Sequence, residues 1–271
     1  MSLVRKRKSN FIEALKNWAA LQFDQVREYF FYFLFSKKSG KQNRALRSAS
    51  KNGLINTIRF LASRGIKIDV VYDIGARHGE WTRKLRRYLP KSKFFLFEAN
   101  ETCRTIIQES GNGYHIGILS DTDGEIEFYS NNSSGDSIYK ELTTHYEAIK
   151  PKLVACRKLD SLLQEKNFPK PDFIKIDTQG SELDILNGGR ASIARTSLIL
   201  LECPILKYNQ GAPTINDYIE RLDGFGFSPC EICDVHYADG IIFQLDLLFI
   251  RKDLSSHLQN RKEKIKPAFK I

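Results

Sequence analysis

The spacing of the apolar residues changes near residue 50 and divides the chain into two regions. Over residues 11–35 apolar side chains recur every three or four positions, which predicts an amphipathic helix. This stripe consists of Ile12, Leu15, Ala19, Phe23, Val26, Phe30 and Phe33. Residues 36–50 are polar and basic and indicate a linker. We therefore predict that residues 1–50 form a basic amphipathic helix followed by a linker.

Beyond residue 51 short apolar runs alternate with helical patterns, and this alternation predicts parallel βαβ units. Seven main strands are predicted, at residues 70–74, 94–97, 114–119, 173–176, 198–201, 228–232 and 245–250. Helices are predicted over residues 53–63, 181–186 and 215–222. The pattern indicates one α/β domain over residues 51–251, followed by a basic C-terminal tail at residues 252–271.

An insertion separates the third and fourth predicted strands. Residues 124–129 and 153–157 read as extended segments, and a loop rich in Gly, Ser and Asn lies between them at residues 131–137. His145, just before Tyr146, either belongs to a wall over a bound ligand or is an ordinary surface histidine.

The net charge of +10 is distributed unevenly. Residues 1–50 contain 11 Lys and Arg against three Asp and Glu, and residues 251–271 contain seven against two, which leaves the residues between them mildly acidic. A uniformly basic protein is typical of nucleic-acid binding, whereas basic ends on an acidic body indicate contact with a phosphate-bearing surface or simply solvated tails. We therefore do not expect nucleic acid to be the main partner.

No apolar run is long enough to cross a membrane. The longest, Tyr29–Phe35, has seven residues, whereas a span needs about 20. The amphipathic stripe with its basic flanks suits an anionic membrane interface, but it equally suits docking on the protein's own domain or pairing in a dimer. We expect a cytoplasmic protein, with peripheral contact at the inner membrane face through residues 1–50 as one alternative, and the oligomeric state stays open.

Five cysteines are scattered through the chain, unlike the dense spacing of a disulfide-stabilised domain. Reduced thiols are therefore expected. Cys230 and Cys233 precede His236 at short spacing, but a structural zinc site needs four ligands, and residues three apart on a strand face opposite sides. We assign no metal ligands from the sequence.

A strand, a glycine turn and a helix follow one another over residues 70–86. The strand carries Asp73 and runs into Gly75 and Gly79, which allow a sharp turn and a close approach to a ligand. A dinucleotide site would have a further glycine at the position of Arg77. The turn therefore suits a ligand without phosphates, such as S-adenosylmethionine, which carries an amino-acid group and a sulfonium.

Polar residues also end the next two strands. Glu98 follows Gly79 by 19 residues and ends the second strand, where a carboxylate can accept hydrogen bonds from both hydroxyls of a ribose. The third strand ends in apolar residues that can flank an adenine ring, and Ser120 or Asp121 can bond the edge of that ring. A simple turn is the alternative at this position.

The fourth predicted strand brings two charges to the edge of the sheet. Lys175 and Asp177 share one strand face and converge on the carboxyl edge, where ligands of open α/β sheets bind. The alternative is a buried ion pair with a structural role. Glu202 closes the fifth strand and should reach the same edge, either near the substrate or as an ordinary strand-ending carboxylate.

Five segments, taken in order, resemble the FkbM family of methyltransferases. They are D-I-G-A-R-H-G-E-W from residue 73, F-L-F-E-A-N from 95, L-S-D-T-D-G-E-I-E-F from 119, R-K-L-D-S-L-L from 157 and I-K-I-D-T-Q-G-S-E-L-D-I-L from 174. The resemblance covers about residues 51–251. The sequence departs from it at Arg77 and His78, where relatives often have smaller or amide residues.

The resemblance implies a class I methyltransferase fold, a Rossmann-like α/β three-layer sandwich with a mostly parallel seven-stranded sheet and an antiparallel last strand. It implies S-adenosylmethionine as the cofactor, with Asp73, Gly75, Ala76 and Gly79 at its amino-acid end, Glu98 at its ribose and Ser120 or Asp121 at its adenine. The acceptor is then expected to be a hydroxyl of a sugar, a lipid-linked glycan or a secondary metabolite.

Methyl transfer to a hydroxyl benefits from a general base. Asp177, Glu182, Glu202 and His236 are candidates near the carboxyl edge; we favour Asp177 and regard Glu202 as the second catalytic candidate. An RNA methyltransferase is an alternative, although an amino-group methylase would be expected to show an Asn/Asp-Pro-Pro-aromatic segment where residues 177–180 read D-T-Q-G. A catalytically inactive, membrane-associated interaction module of the same fold is a further alternative.

Overall fold

The computed structural model describes residues 53–132, 135–143, 146–238 and 241–259. All of them belong to the second of two compact units, Ser50–Ile271. The predicted amphipathic helix and linker of residues 1–50, His145 and residues 260–271 of the basic tail lie outside the described residues.

Strands and helices alternate along the described residues. The strands are β1 (Val70–Ile74), β2 (Lys93–Glu98), β3 (Gly113–Ile116), β4 (Ile118–Ser120), β5 (Gly124–Phe128), β6 (Lys152–Lys158), β7 (Phe173–Ile176), β8 (Leu198–Pro204), β9 (Phe227–Ala238) and β10 (Ile241–Arg251). The helices are α1 (residues 53–63), α2 (Glu80–Arg86), α3 (Arg104–Glu109), α4 (Leu159–Lys166), α5 (Glu182–Gly188), α6 (Arg190–Ile193), α7 (Ile215–Gly224) and α8 (Lys252–Gln259). A 3-10 turn, Glu101–Cys103, precedes α3. None of the helices within these ranges is long and apolar enough to cross a bilayer.

Seven strands form the main sheet in the order β3-β2-β1-β7-β8-β10-β9. The first five run parallel, and β10 pairs antiparallel with both β8 and β9. The predicted class I α/β fold with its antiparallel last strand is confirmed. The chain moves outward from β1 to β3 and then returns to the other side of β1 at β7, so the strand order reverses between β1 and β7. Ligands of open α/β sheets bind beside the carboxyl ends of the strands at such a reversal.

The prediction of one strand over residues 114–119 is wrong. β3 pairs with β2 in the main sheet, whereas β4 pairs with β6 and joins a second sheet of order β4-β6-β5. Gly117 separates them at φ 154°, a conformation that L side chains rarely adopt, and a Cβ at that position would lie 2.7 Å from the ring of His115. The insertion therefore has its own sheet, and its two extended segments are confirmed as β5 and β6.

The central strands are buried on both faces, as expected for parallel strands covered by helices. Every residue of β7 is buried, and so are most residues of β1 and β8. One core cluster joins Ile58 and Leu61 of α1 to Val71, Phe173 and Leu198 on the sheet. The strand ends that carry the polar residues are thus fixed by a packed core.

Candidate active site

The glycine turn after β1 packs directly against the end of β7. The backbone N–H groups of Gly75 and Ala76 both donate to the carbonyl of Phe97, at 2.9 and 3.0 Å. Gly75 has φ 73°, and a Cβ there would lie 1.9 Å from the carbonyl oxygen of Asp177. Only glycine fits this close approach, and the turn opens the space between the ends of β1, β2 and β7.

Glu98 ends β2 and connects the two loops beside it. One oxygen of its carboxylate accepts from the backbone N–H of Arg77 at 2.7 Å, and the other accepts from that of Asn100 at 2.8 Å. An ionised carboxylate has about four acceptor positions, so two hydrogen bonds leave it able to accept more. The backbone therefore orients Glu98 without saturating it.

One cavity of about 870 Å³ joins these elements along the carboxyl edge of the sheet. Its walls include residues 74–78 of the glycine turn, residues 97–100 after β2, Ile118 and Leu119 of β4, residues 131–132 and 135–138 of the insertion, residues 177–179 after β7, and Glu202 of β8. The cavity thus reaches from the predicted cofactor residues to both predicted catalytic carboxylates.

Several of the predicted site residues meet in this cavity. Gly75, Ala76, Glu98, Asp177 and Glu202 all contribute to its wall. These residues lie close together because neighbouring parallel strands end at the same edge of the sheet.

The other predicted cofactor residues lie behind the wall or beside it. Asp73 is fully buried and accepts a hydrogen bond from the hydroxyl of Thr82 at 2.7 Å. Gly79 is buried at the start of α2, Ser120 is fully buried, and Asp121 is exposed. Ile118 and Leu119 of β4, rather than Ser120 or Asp121, line the cavity.

Lys175 is the buried cation of the site. Its Nζ lies 3.4 Å from Asp73 Oδ1, 3.1 Å from Asp177 Oδ2 and 3.2 Å from the carbonyl oxygen of Gly75. Burial lowers the pKa of Lys175, but the charges of Asp177 and Asp73 outweigh burial and hold that pKa above its usual value. The ammonium therefore stays charged and links the glycine turn to both carboxylates.

Asp177 and Glu202 form a carboxyl pair on the cavity wall. The Nε2 of Gln179 donates to Asp177 Oδ1 at 3.2 Å and to Glu202 Oε2 at 2.7 Å. Burial raises the pKa of Asp177, but Lys175 outweighs it and holds that pKa below its usual value. Burial, together with the charge of Asp177, raises the pKa of Glu202 well above its usual value. Asp177 is thus the ionised member, and 37% of its side chain remains accessible from the cavity.

The two remaining candidate bases have other surroundings. Glu182 is fully buried and accepts hydrogen bonds from the backbone N–H of Thr178 and Gly180 and from the hydroxyl of Tyr218. It anchors the loop after β7 and does not reach the cavity. His236 forms an ion pair with Asp246, with 3.0 Å between Nε2 and Oδ1.

The sequence did not indicate how the insertion contributes to the cavity. Tyr146 is buried there, and its hydroxyl contacts Asn131 Oδ1 at 3.1 Å and Asp136 Oδ1 at 2.8 Å. Ser137 is also buried and donates to the carbonyl of Gln179 at 2.9 Å. The sequence marked the other three residues only as part of the loop rich in Gly, Ser and Asn, and it did not indicate which side chains they contact.

Comparison with known proteins gives one family and two curated relatives. The model of the methyltransferase FkbM domain matches residues 73–229. The chain is 25% identical over 175 residues to the 2-O-methyltransferase NoeI of Sinorhizobium fredii, covering 58% of this chain and 72% of that protein. It is 24% identical over 216 residues to the hexuronic acid methyltransferase AglP of Haloferax volcanii, covering 74% of this chain and 83% of that protein.

Among solved structures, the chain is similar to the methyltransferase FkbM from Methylobacillus flagellatus. It aligns at 16% identity with a TM-score of 0.42 and covers 67% of this chain and 43% of that chain. This chain therefore spans less than half of the length of that structure.

Proposed function

Because the chain belongs to the FkbM methyltransferase family, we propose that it transfers a methyl group from S-adenosylmethionine to a hydroxyl of a sugar, a lipid-linked glycan or a hydroxylated small metabolite. Both curated relatives are methyltransferases, one named for 2-O-methylation and one for hexuronic acid. The observation that carries the proposal is that one cavity is lined by both Glu98 and Asp177. The first name supports an oxygen as the methyl acceptor, and the second supports a sugar acid as the acceptor class.

The residues at the β1 and β2 ends fit the cofactor. The Gly75 turn lets the backbone approach its amino-acid end, and Glu98 retains acceptor capacity for ribose hydroxyls. Ile118 and Leu119 provide the apolar wall for an adenine ring. Asp73 is buried behind this wall and does not touch the ligand. Its role is to pair with the ammonium of Lys175.

Asp177 is the proposed general base. When bound, S-adenosylmethionine supplies a methyl group activated by its sulfonium, and transfer to a hydroxyl oxygen forms an O–C bond, breaks the S–C bond and releases the hydroxyl proton. Asp177 accepts that proton, because Lys175 keeps its carboxylate ionised and the cavity leaves it accessible. Gln179 fixes the orientation of this carboxylate.

The alternatives from the sequence have less support. The name of neither relative refers to RNA, and the name of one refers to hexuronic acid, so an RNA acceptor has less support. An inactive module would not need Glu98 and Asp177 on one cavity wall. Peripheral membrane contact through residues 1–50 stays a prediction; it requires co-sedimentation with anionic liposomes that is lost when residues 1–50 are deleted.

Calorimetric titration of S-adenosylmethionine tests the cofactor part of the proposal. Wild type is expected to bind in the micromolar range, and Glu98→Ala to bind about 10- to 100-fold more weakly, since hydrogen bonds to a charged group contribute about 1.5–3 kcal/mol. The matched control is Glu101→Ala, which removes an exposed carboxylate paired with Arg104 and should leave binding unchanged. Equal binding by the Glu98 and Glu101 variants would contradict the assignment.

Methyl transfer to a panel of glycans and hydroxylated metabolites, followed with methyl-labelled S-adenosylmethionine, tests the reaction. Asp177→Asn should retain cofactor binding and lose about 100-fold or more of the transfer rate. Retained transfer in this variant would exclude Asp177 as the base. A wild-type protein that binds no S-adenosylmethionine would favour the inactive module.

A further inference from the structure

Three side chains with metal-binding atoms meet beyond Asp177, on three neighbouring strands. Glu202 of β8 and Asp246 of β10 are directly opposite each other in the antiparallel pair. His236 lies on β9, the strand on the other side of β10. One oxygen of each carboxylate and one ring nitrogen of the histidine all lie within 4.8 Å of one another. The three side chains are half-buried, so each keeps some access to solvent.

The donor set and its spacing suit a transition-metal cation. Metal–nitrogen and metal–oxygen bonds of about 2.1 Å place adjacent ligand atoms about 3.0–3.4 Å apart. His236 Nε2 and Asp246 Oδ1 are 3.0 Å apart. One imidazole with two carboxylates suits Mn²⁺, Fe²⁺ or Zn²⁺, and three protein ligands leave coordination positions open. We infer that Glu202, His236 and Asp246 bind one divalent transition-metal cation.

The balance of charge around the cluster also favours a cation. Two carboxylates directly opposite on neighbouring strands repel each other, and Asp177 adds a third next to Glu202 through their shared contact with Gln179. Lys175 is already shared between Asp73 and Asp177. Among the described residues, His236 is the basic side chain paired with Asp246, and no lysine or arginine pairs with Glu202. A divalent cation bound between these acidic side chains would offset the repulsion among their ionised forms.

Surrounding groups orient two of the three ligands. Gln179 Nε2 donates to Glu202 Oε2 at 2.7 Å, and the ring of Phe243 contacts that of His236 edge to face, with 6.2 Å between the ring centres. Such outer contacts commonly fix metal ligands in a binding orientation. The ligands thus stand on strands of the main sheet and are held by neighbours.

The position of the cluster suggests its use. Glu202 belongs both to the cluster and to the cavity wall beside Asp177. A cation with open positions there would bind hydroxyl oxygens of the acceptor, ideally two neighbouring hydroxyls of one sugar ring, and would lower the pKa of the reacting hydroxyl. This use rests on the proposed function, whereas the binding of the cation does not.

Binding is tested on the full chain, freed of metal with a chelator and titrated with Mn²⁺ alone. The free Mn²⁺ signal in electron paramagnetic resonance should report one site per chain with micromolar affinity. His236→Ala and Asp246→Asn should each weaken binding at least ten-fold, and circular dichroism would confirm that both variants fold. The control Asp253→Asn removes an exposed carboxylate just beyond β10 and should bind as wild type does.

A spectroscopic measurement on wild type removes any dependence on the variants. Electron spin echo modulation of the Mn²⁺ complex should show coupling to one imidazole nitrogen. Absence of saturable binding, equal binding by the three variants, or a complex without nitrogen coupling would each overturn the site. None of these measurements uses S-adenosylmethionine or an acceptor, so failure of the metal site and failure of the proposed function are distinguishable.

Discussion

Replacing Lys175 by methionine is the perturbation with the largest expected effect on stability. The ammonium lies 3.4 Å from Asp73 and 3.1 Å from Asp177, and the side chains of Lys175 and Asp73 are 10% and 0% exposed. Methionine keeps much of the volume and removes the charge, which leaves Asp73 buried without a cation. Removal of one partner from a buried ion pair costs about 3–5 kcal/mol. Since folded domains are stable by about 5–15 kcal/mol, this loss is a large share of the total.

The loss should depend on pH in a defined direction. Burial already raises the pKa of Asp73 even with Lys175 present, and removal of the ammonium raises it further. A carboxyl whose pKa is higher in the folded than in the unfolded state binds more protons when folded, so stability falls as pH rises. The penalty of Lys175→Met should therefore be greater at pH 8 than at pH 5.

Urea unfolding followed by circular dichroism measures these quantities. Lys166→Met, at an exposed lysine in the last turn of α4, is the control and should change stability by less than about 0.5 kcal/mol. Adding Asp73→Asn to Lys175→Met should recover part of the loss, because it removes the unpaired buried charge. A loss below about 1 kcal/mol for Lys175→Met, or a further loss on adding Asp73→Asn, would refute this reasoning.

Three further substitutions test local features of the fold. Gly75→Ala places a Cβ 1.9 Å from the carbonyl oxygen of Asp177. Urea unfolding should therefore show a free energy of unfolding lower by about 1–3 kcal/mol. Unchanged stability would contradict the close packing. Burial is the main cause that lowers the pKa of His115 to about 4. Wild type should therefore lose stability as pH falls from about 6.5 towards 4. In His115→Gln, the free energy of unfolding should depend less on pH over that range. The carboxylate of Asp160 accepts from the backbone N–H groups of residues 191–192 at the start of α6, each at 2.8 Å. Asp160→Ala should therefore lower the free energy of unfolding by about 1 kcal/mol. An unaltered thermal midpoint would disprove the capping role.

The sequence predicted the central strands well and the edge of the sheet less well. The predicted strands at residues 70–74 and 173–176 coincide with β1 and β7. Both are short, mostly apolar and buried on each face, with one charged residue near the carboxyl end, so the local pattern contains the relevant information. The prediction of a single strand over residues 114–119 was wrong. An apolar run does not reveal that the chain leaves the main sheet at Gly117 and joins the second sheet.

Prediction of the site residues was also only partly successful. Gly75, Glu98, Asp177 and Glu202 were identified because each follows a strand, and parallel strand ends meet at one edge. Asp73 shares this edge in sequence but is turned into the core, where it contacts Thr82 and Lys175. Strand position alone predicts proximity to the cavity, and it does not predict which side chain enters it.

Gln179, in the loop after β7, shows why the contacts of the insertion could not be predicted from sequence. It has φ 60°, an unusual value for a residue with a side chain. Its carbonyl accepts from Ser137 Oγ of the insertion at 2.9 Å and from Asn209 Nδ2 after β8 at 2.6 Å. These two contacts come from positions 42 and 30 residues away in sequence, so no local pattern could indicate them.

Backbone conformations of this kind persist where the surrounding structure holds them, and they concentrate at functional sites. The amide of the same residue donates to both Asp177 and Glu202. Because Ser137 fixes the backbone from which that amide projects, the insertion helps to set the geometry of the two carboxyl groups as well as the wall of the cavity. A change of sequence in the insertion would therefore be expected to alter the reaction rate.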